Sequence, residues 1–309
     1  MITTVTLNPA IDRTLILDTF TPGEVNRISS VYEEMGGKGI NVAKVLHALA
    51  IDTRAIGMIG KQNIEHTSVL LKQLDFSHEF QEVNWLTRTN MKIIDLEKRQ
   101  TSDLNEAGFS VKASDLRSFN ESLKNDAMKS DYVVLSGSLP KGLSSDTYRN
   151  LIQEHTLLSE FVLDCEGDAL LEGVKAHPYL IKPNLEELNH AFQKELTTDI
   201  EIITFAHTLL ETYDIGLILV SLGAKGSLLI TDDAAYRASS LKIDVISTVG
   251  AGDAMLAGFL TGLSRSFPLD ECLRMANVCG ALMCAKQDSE MFAYEDVISR
   301  MHEIEIEYR

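Results

Sequence analysis

The sequence predicts a doubly wound α/β protein: a mostly parallel sheet flanked by helices, with a small antiparallel β-sheet set apart from it. Three observations carry this. Short apolar runs alternate with helical patterns along most of the 309 residues, the order that builds βαβ units. Several runs, such as D-Y-V-V-L-S and L-I-L-V-S, are apolar at successive positions, as suits strands covered on both faces. Two stretches, 12–34 and 84–105, carry strand patterns with no helix between them.

Strands are expected at 4–7, 55–59, 132–135, 161–163, 179–181 and 217–220. Helices are expected at 39–50, 64–74, 113–125, 145–154, 184–192 and 200–213, then in close succession at 252–264, 269–286 and 294–304. Residues 12–34 turn at T-P-G-E, and residues 84–105 form a hairpin turning near Glu97–Lys98. The expected organisation is a body of residues 1–11, 35–83 and 106–309 with a lid of residues 12–34 and 84–105. Such a sheet is marginal alone; it can close over a site or bury its apolar face against a second copy of the chain.

Composition narrows the function. The net charge is −17, from 28 Lys and Arg against 45 Asp and Glu. Nucleic acid and anionic membranes are excluded as expected partners. No apolar run reaches the roughly 18 residues of a membrane span. A phosphorylated substrate would be repelled at long range, so local Lys, Arg and backbone N–H groups must hold it. Cys165, Cys272, Cys279 and Cys284 form no C-x-x-C pair and read as free, buried thiols. With a strand-like N-terminus in place of a signal peptide, a cytoplasmic protein is expected.

Glycine clusters carry the chemistry. In S-T-V-G-A-G-D-A-M-L-A-G-F, Gly250, Ala251 and Gly252 precede Asp253 at the mouth of a helix. Asp253 reads either as a plain N-cap or as a base inside an anion-binding turn, taking a proton from the group that attacks a phosphate. In E-M-G-G-K-G-I-N-V-A, Lys38 sits among Gly36, Gly37 and Gly39, with Asn41 one turn into the helix. That reads as a tight turn with a solvated lysine, or as a second anion or sugar site. In V-S-L-G-A-K-G, Ser221, Gly223, Ala224, Lys225 and Gly226 follow a buried strand, where such folds bind ligands; a plain β-turn reads equally well. In I-K-P-N-L-E-E-L, Asn184 and Glu187 have capping-box spacing; alternatively they hold waters of a Mg²⁺ ion. Walker A, H-E-x-x-H and G-x-S-x-G patterns are all absent, which removes support for P-loop, zinc-protease and α/β-hydrolase readings.

Taken together, these segments resemble the PfkB (ribokinase-like) carbohydrate kinases. The likeness spans essentially the whole chain, in order: T-L-N-P-A-I-D at 6–12, G-G-K-G-I-N-V-A at 36–43, T-R-T-N-M-K at 87–92, S-G-S-L-P-K-G at 136–142, then I-K-P-N-L-E-E-L, V-S-L-G-A-K-G and V-G-A-G-D-A-M-L-A-G-F. L-N-P-A-I-D, S-G-S-L-P and K-P-N look like the branch that phosphorylates phosphorylated ketohexoses, which holds 1-phosphofructokinases and tagatose-6-phosphate kinases. T-R-T-N-M-K and S-T-V-G-A-G-D look more like the former.

The resemblance implies roles. Asp253 would be the base, with Gly250, Ala251 and Gly252 forming the anion hole for the transferring phosphoryl group. Asp12, Gly37 and Asn41 would hold sugar hydroxyls; Lys38 and Arg88, with Arg27 and Lys92, would meet the phosphate already on the sugar. Lys182, Asn184 and residues Ser221 to Gly226 would line the ATP site, with Asn277 near the adenine. Asn184 and Glu187 would serve Mg²⁺ through water, and a potassium-like ion assists some relatives. The implied reaction is ATP-dependent phosphorylation of fructose 1-phosphate. The alternatives are tagatose 6-phosphate as substrate, or a non-catalytic sugar-phosphate sensor, for which an intact Asp253 would have no use. Two segments depart from the family pattern: K-Q-N-I-E-H after Gly60, where relatives show further glycines and an acid, and K-Q-D-S-E-M-F-A-Y near the C-terminus, where relatives often carry a glycine.

Overall fold

Val133, Val134 and Leu135 are all fully buried. Successive strand residues point to opposite faces, so this strand must be covered on both. The computed structural model of the chain describes residues 1–98, 100–286 and 291–309. The second departure from the family pattern, in K-Q-D-S-E-M-F-A-Y, falls partly on residues 287–290, outside the described residues.

The chain opens with β1 (Ile2–Thr6), β2 (Ala10–Leu17), β3 (Ser30–Gly36) and α1 (Lys38–Ala48). It continues through β4 (Thr53–Gly60), α2 (Ile64–Leu71), β5 (Ser77–Val83), β6 (Arg88–Asp95) and β7 (Gln100–Asn105). Alternation follows: α3 (Ala113–Ala127), β8 (Tyr132–Ser136), α4 (Thr147–His155), β9 (Glu160–Asp164), α5 (Gly167–Gly173), β10 (Leu180–Ile181), α6 (Leu185–Phe192), α7 (Asp199–Tyr213) and β11 (Leu217–Ser221). The last part holds β12 (Ser227–Ile230), β13 (Ala235–Ala238), α8 (Ala251–Ser264), α9 (Leu269–Ala285), α10 (Tyr294–Arg300) and β14 (Ile306–Tyr308).

The larger sheet runs β14-β13-β12-β11-β10-β9-β8-β1-β4-β5. It is parallel from β5 to β11 and antiparallel beyond. One face packs Val133 and Leu135 with Phe119 of α3, Tyr148 of α4 and Leu209 of α7. The other packs Val134 with Val45 of α1, Leu256 of α8 and Val278 of α9. Two covered faces explain the continuous apolar runs. The chain leaves β1 for β4 and β5 on one side and returns to β8 on the other. That reversal opens a crevice at the C-terminal ends of β1 and β8, the place where doubly wound sheets hold ligands.

The smaller sheet runs β3-β2-β6-β7. Each hairpin within it is antiparallel. The seam between the hairpins, β2 to β6, is parallel, because both strands leave the body in the same direction. Its root packs Ile11 and Met35 against Ile40, Ile59 and Leu70. No element is expected from the sequence at α5, a helix of 7 residues too short to show a period, nor at the edge strands β5 and β14 or at β12 and β13 beside β14.

Helix α8 is buried along most of its length, which its sequence A-G-D-A-M-L-A-G-F-L permits by using small residues. A Cβ at Gly258 would lie 2.7 Å from the Cys279 sulfur and 2.9 Å from the Met275 carbonyl of α9. Gly258→Val is expected to lower stability by about 1–3 kcal/mol through overpacking, read as a lower urea midpoint. An unchanged midpoint would show that α9 can retreat at no cost.

Candidate active site

Gly250 caps α8 in the left-handed conformation, with φ 78°. A glycine adopts this without the steric cost a side chain would bring. The helix therefore starts one residue later, and Asp253 falls in its first turn, not at the N-cap; no side chain caps α8. The plain-cap reading of Asp253 is thereby corrected. Its carboxylate accepts a hydrogen bond from the Asn41 amide of α1 at 2.9 Å and the residue is only 7% exposed. Burial, then repulsion from Asp164, push its pKa up to about 6, against the pull of Asn41 and two lysines.

Asp164, at the C-terminal end of β9, is wholly buried. Sequence reasoning missed it; the available signal was an acid closing the apolar run F-V-L. Lys182 Nζ lies 3.2 Å from its carboxylate and Lys38 Nζ lies 3.6 Å from it. Burial opposes the charge on Asp164, but these two ammonium groups outweigh it and hold the carboxyl below its usual range. Lys182 Nζ also lies 3.3 Å from where a Cβ on Gly252 would stand, beside the α8 N-terminus. Backbone N–H groups, helix dipole and lysines thus converge on one anion-binding point.

Lys38 also approaches Glu187 Oε1 at 3.5 Å. Lys38, expected to meet the sugar's phosphate, lines the same cavity as Arg88, and carboxylates, Asp164 foremost, raise its pKa. Asn184 and Glu187 form the capping box of α6: Asn184 Oδ1 accepts from Glu187 N at 2.7 Å, and Glu187 Oε2 accepts from Asn184 N at 2.9 Å. Each thus has one oxygen committed. Among the described residues no group of three or more His, Cys, Asp or Glu could cage a metal. A Mg²⁺ ion held through water and substrate phosphates fits that donor set; a protein cage does not.

On the sugar side, Asn90 of β6 donates to Asp12 of β2 at 3.0 Å, and burial raises the Asp12 pKa against that bond. A Cβ on Gly36 would stand 1.8 Å from the Asp12 carboxylate, so that glycine makes room for it. Gly37 precedes α1 at φ 120°. A cavity of about 450 Å³ opens in the crevice and is lined by Thr6, Asn8, Lys38, Arg88, Asn90 and Ser138, among others. Arg88 is anchored by two backbone carbonyls, Glu106 O at 2.8 Å and Asn8 O at 3.0 Å. Its buried Nε has no hydrogen-bond partner among the described residues. Lys92 shares the Arg88 face of β6, two residues apart from Asn90, close enough to stabilise the Asp12 carboxylate. Arg27 is not brought in: it lies exposed on the connection between β2 and β3 and does not line the cavity.

On the nucleotide side, Ser221 pairs with Asn184 in an isolated bridge, which puts the turn Gly223–Lys225 and Gly226 next to the capping box. Gly223, Ala224 and Lys225 are exposed. Asn277, expected near the adenine, is a buried residue of α9. It is 4% exposed, and its amide nitrogen donates to Ser227 Oγ at 2.7 Å and Leu273 O at 2.8 Å. It ties α9 to β12 from within the core.

The model of the pfkB family carbohydrate kinases matches residues 5–292. The chain belongs to the pfkB family. The curated 1-phosphofructokinase of Bacillus subtilis is 33% identical over 302 residues, covering 97% of each chain. That of Vibrio cholerae is 36% identical over 282 residues, covering 91% of this chain and 88% of the relative. The solved phosphofructokinase-2 of Escherichia coli in complex with potassium superposes with a TM-score of 0.90 at 25% identity, over 98% of each chain. This pfkB protein is therefore an ATP-dependent carbohydrate kinase, and family membership brings Mg²⁺ with the nucleotide.

Only the Asp253 carboxylate, not its acid, can accept a proton. With a pKa of about 6, kcat is expected to fall about tenfold for each pH unit below that value. Asp164→Asn removes the repulsion and should move this acid limb to lower pH. A limb that stays in place would show that Asp164 does not act on Asp253.

Proposed function

We propose that this kinase transfers the terminal phosphoryl group of ATP to fructose 1-phosphate, giving fructose 1,6-bisphosphate and ADP. The observation that carries the reading is a raised-pKa carboxylate beside two lysines at a helix N-terminus, adjoining a cavity that holds a half-buried, backbone-anchored arginine. The names of the relatives, both 1-phosphofructokinases, support this substrate over tagatose 6-phosphate.

In the proposed step the sugar hydroxyl attacks the terminal phosphorus. A new P–O bond forms, the bond to the β-phosphate oxygen breaks, and the hydroxyl proton passes to Asp253. The N–H groups at Gly250, Ala251 and Gly252, with Lys38 and Lys182, stabilise charge on the transferring group. Asp12 and Asn41 orient hydroxyls, and the Gly37 turn lets the sugar approach. Arg88, assisted by Lys92, meets the phosphate already present. The Ser221–Gly226 turn lines the nucleotide. Asn184 and Glu187 would hold Mg²⁺ through water, and the ion would offset the charge of ATP. Residues 12–34 and 84–105 act as the lid over a body of residues 1–11, 35–83 and 106–309. A second copy packs on the outer face of the lid, where Val31 and Leu104 are 51% and 53% exposed; light scattering of Leu104→Asp should then report a lower mass. Potassium stimulation is the corresponding test for a monovalent ion.

ADP release with Mg-ATP is measured against fructose 1-phosphate, tagatose 6-phosphate, fructose 6-phosphate and fructose. Preference for tagatose 6-phosphate would move the protein to the neighbouring branch, and ATP binding without turnover would favour a sensor. Asp253→Asn should lower kcat by about 10²–10⁴-fold while its melting temperature at pH 7.5 holds, because the neutral amide removes a buried charge and no cap is lost. A collapsed melting temperature with normal activity per folded molecule would assign Asp253 a structural role only. Arg88→Ala is expected to raise KM for the phosphosugar about 10–100-fold, the worth of a charged hydrogen bond, and to leave KM for ATP near its starting value; equal effects would remove Arg88 from the sugar site.

A further inference from the structure

The turn K-Q-N-I-E-H that follows Gly60 does not take the family's glycine-rich form, and the structure gives it a different employment. It grips residues 85–87, where the chain crosses from body to lid. Gly60 N–H donates to Thr87 Oγ1 at 2.8 Å, and Gln62 N–H donates to the Trp85 carbonyl at 2.9 Å. The Asn63 side chain then brackets Thr87: its Oδ1 accepts from Thr87 N–H at 2.9 Å and its Nδ2 donates to the Thr87 carbonyl at 3.0 Å. One amide side chain thus satisfies both backbone groups of one residue, as a neighbouring strand would. Thr87 is 3% exposed, and a Cβ on Gly60 would lie 2.1 Å from Thr87 N, so the crossing has no slack.

The next residue is Arg88. Its guanidinium reaches back to the Asn8 and Glu106 carbonyls at two of the other crossings between body and lid. Where β6 begins is therefore set by Asn63, and where the arginine ends is set by those carbonyls. We propose that Asn63 is a positioning residue for the phosphosugar: by fixing the Thr87 backbone on the body, it holds Arg88 where the phosphate on the substrate arrives. This rests on the reading of Arg88 given above. Asn63 touches neither the reacting atoms nor the cavity, so its effect must pass through Arg88.

A double-mutant cycle tests this. Calorimetric titration with fructose 1-phosphate in the absence of nucleotide reads its Kd without turnover. Asn63→Ala is expected to raise both Kd and KM for fructose 1-phosphate about tenfold, leaving KM for ATP and the acid limb of kcat unchanged. Introduced into Arg88→Ala, the same substitution should add less than about twofold. Full additivity, or equal effects on ATP and phosphosugar, would overturn the proposal and leave Asn63 as a stability residue. Normal phosphosugar binding by Arg88→Ala alone would instead overturn the reading of Arg88 on which it rests. Should Asn63→Ala not fold, Asn63→Asp, which keeps the acceptor for Thr87 N–H and removes the donor to the Thr87 carbonyl, should show the same loss and the same cancellation.

Discussion

The ion cluster around Asp164 is the constraint on which the site depends. A carboxylate with no exposed surface is costly unless it is paired. Here it is paired twice, by Lys38 from α1 and Lys182 from the end of β10. Removing one partner of such a group leaves a buried charge uncompensated, which typically costs about 3–5 kcal/mol. The cluster thereby fixes the first turn of α1 and the segment after β10 relative to β9. Asp253 on α8 joins through Asn41. Burial and the Asp164 charge raise the basicity of Asp253, while the two lysines that satisfy Asp164 temper that rise, and Lys182 stands beside the N-terminus of α8. Stability and chemistry draw on one set of contacts.

A second set holds the small sheet. Its strands leave and re-enter the body where hydrogen bonds are dense: Arg88 to the Asn8 and Glu106 carbonyls, Asn63 and Gly60 to Thr87, and Asn8 Nδ2 to Ser138 Oγ at 3.1 Å. Most of these are side chain to backbone, so they set main-chain position without filling a pocket. A sheet of four strands has little core of its own; its alignment over the crevice comes from these crossings and from the Ile11–Met35 root.

Much of this was legible in the sequence, for identifiable reasons. Two-sided burial leaves unbroken apolar runs, so the parallel strands could be read, and the small sheet stood out because neither of its two stretches holds a helix. The capping box at Asn184 and Glu187 is a local spacing and was readable as such. Asp253 was harder. Whether it caps depends on which residue starts the helix, and Gly250 takes that place through a left-handed conformation that composition does not announce. Asp164 was missed because one acid after an apolar run resembles any strand end; its partners lie more than a hundred residues away in Lys38 and close by in Lys182. Arg27 and Asn277 were placed by likeness alone, and neither meets the cavity.

The distribution of charge has a kinetic consequence. The chain carries −17 overall, while Lys38, Lys182 and Arg88 sit recessed in the crevice. Both proposed substrates are anions, so an approaching molecule meets repulsion outside and attraction only once inside. At physiological ionic strength the screening length is about 8 Å. Salt therefore weakens the outer repulsion before it reaches the shielded attraction within. For most electrostatically steered enzymes added salt slows encounter; here moderate salt hastens it, and the protein's speed of capture becomes tuned to the saltiness of its surroundings.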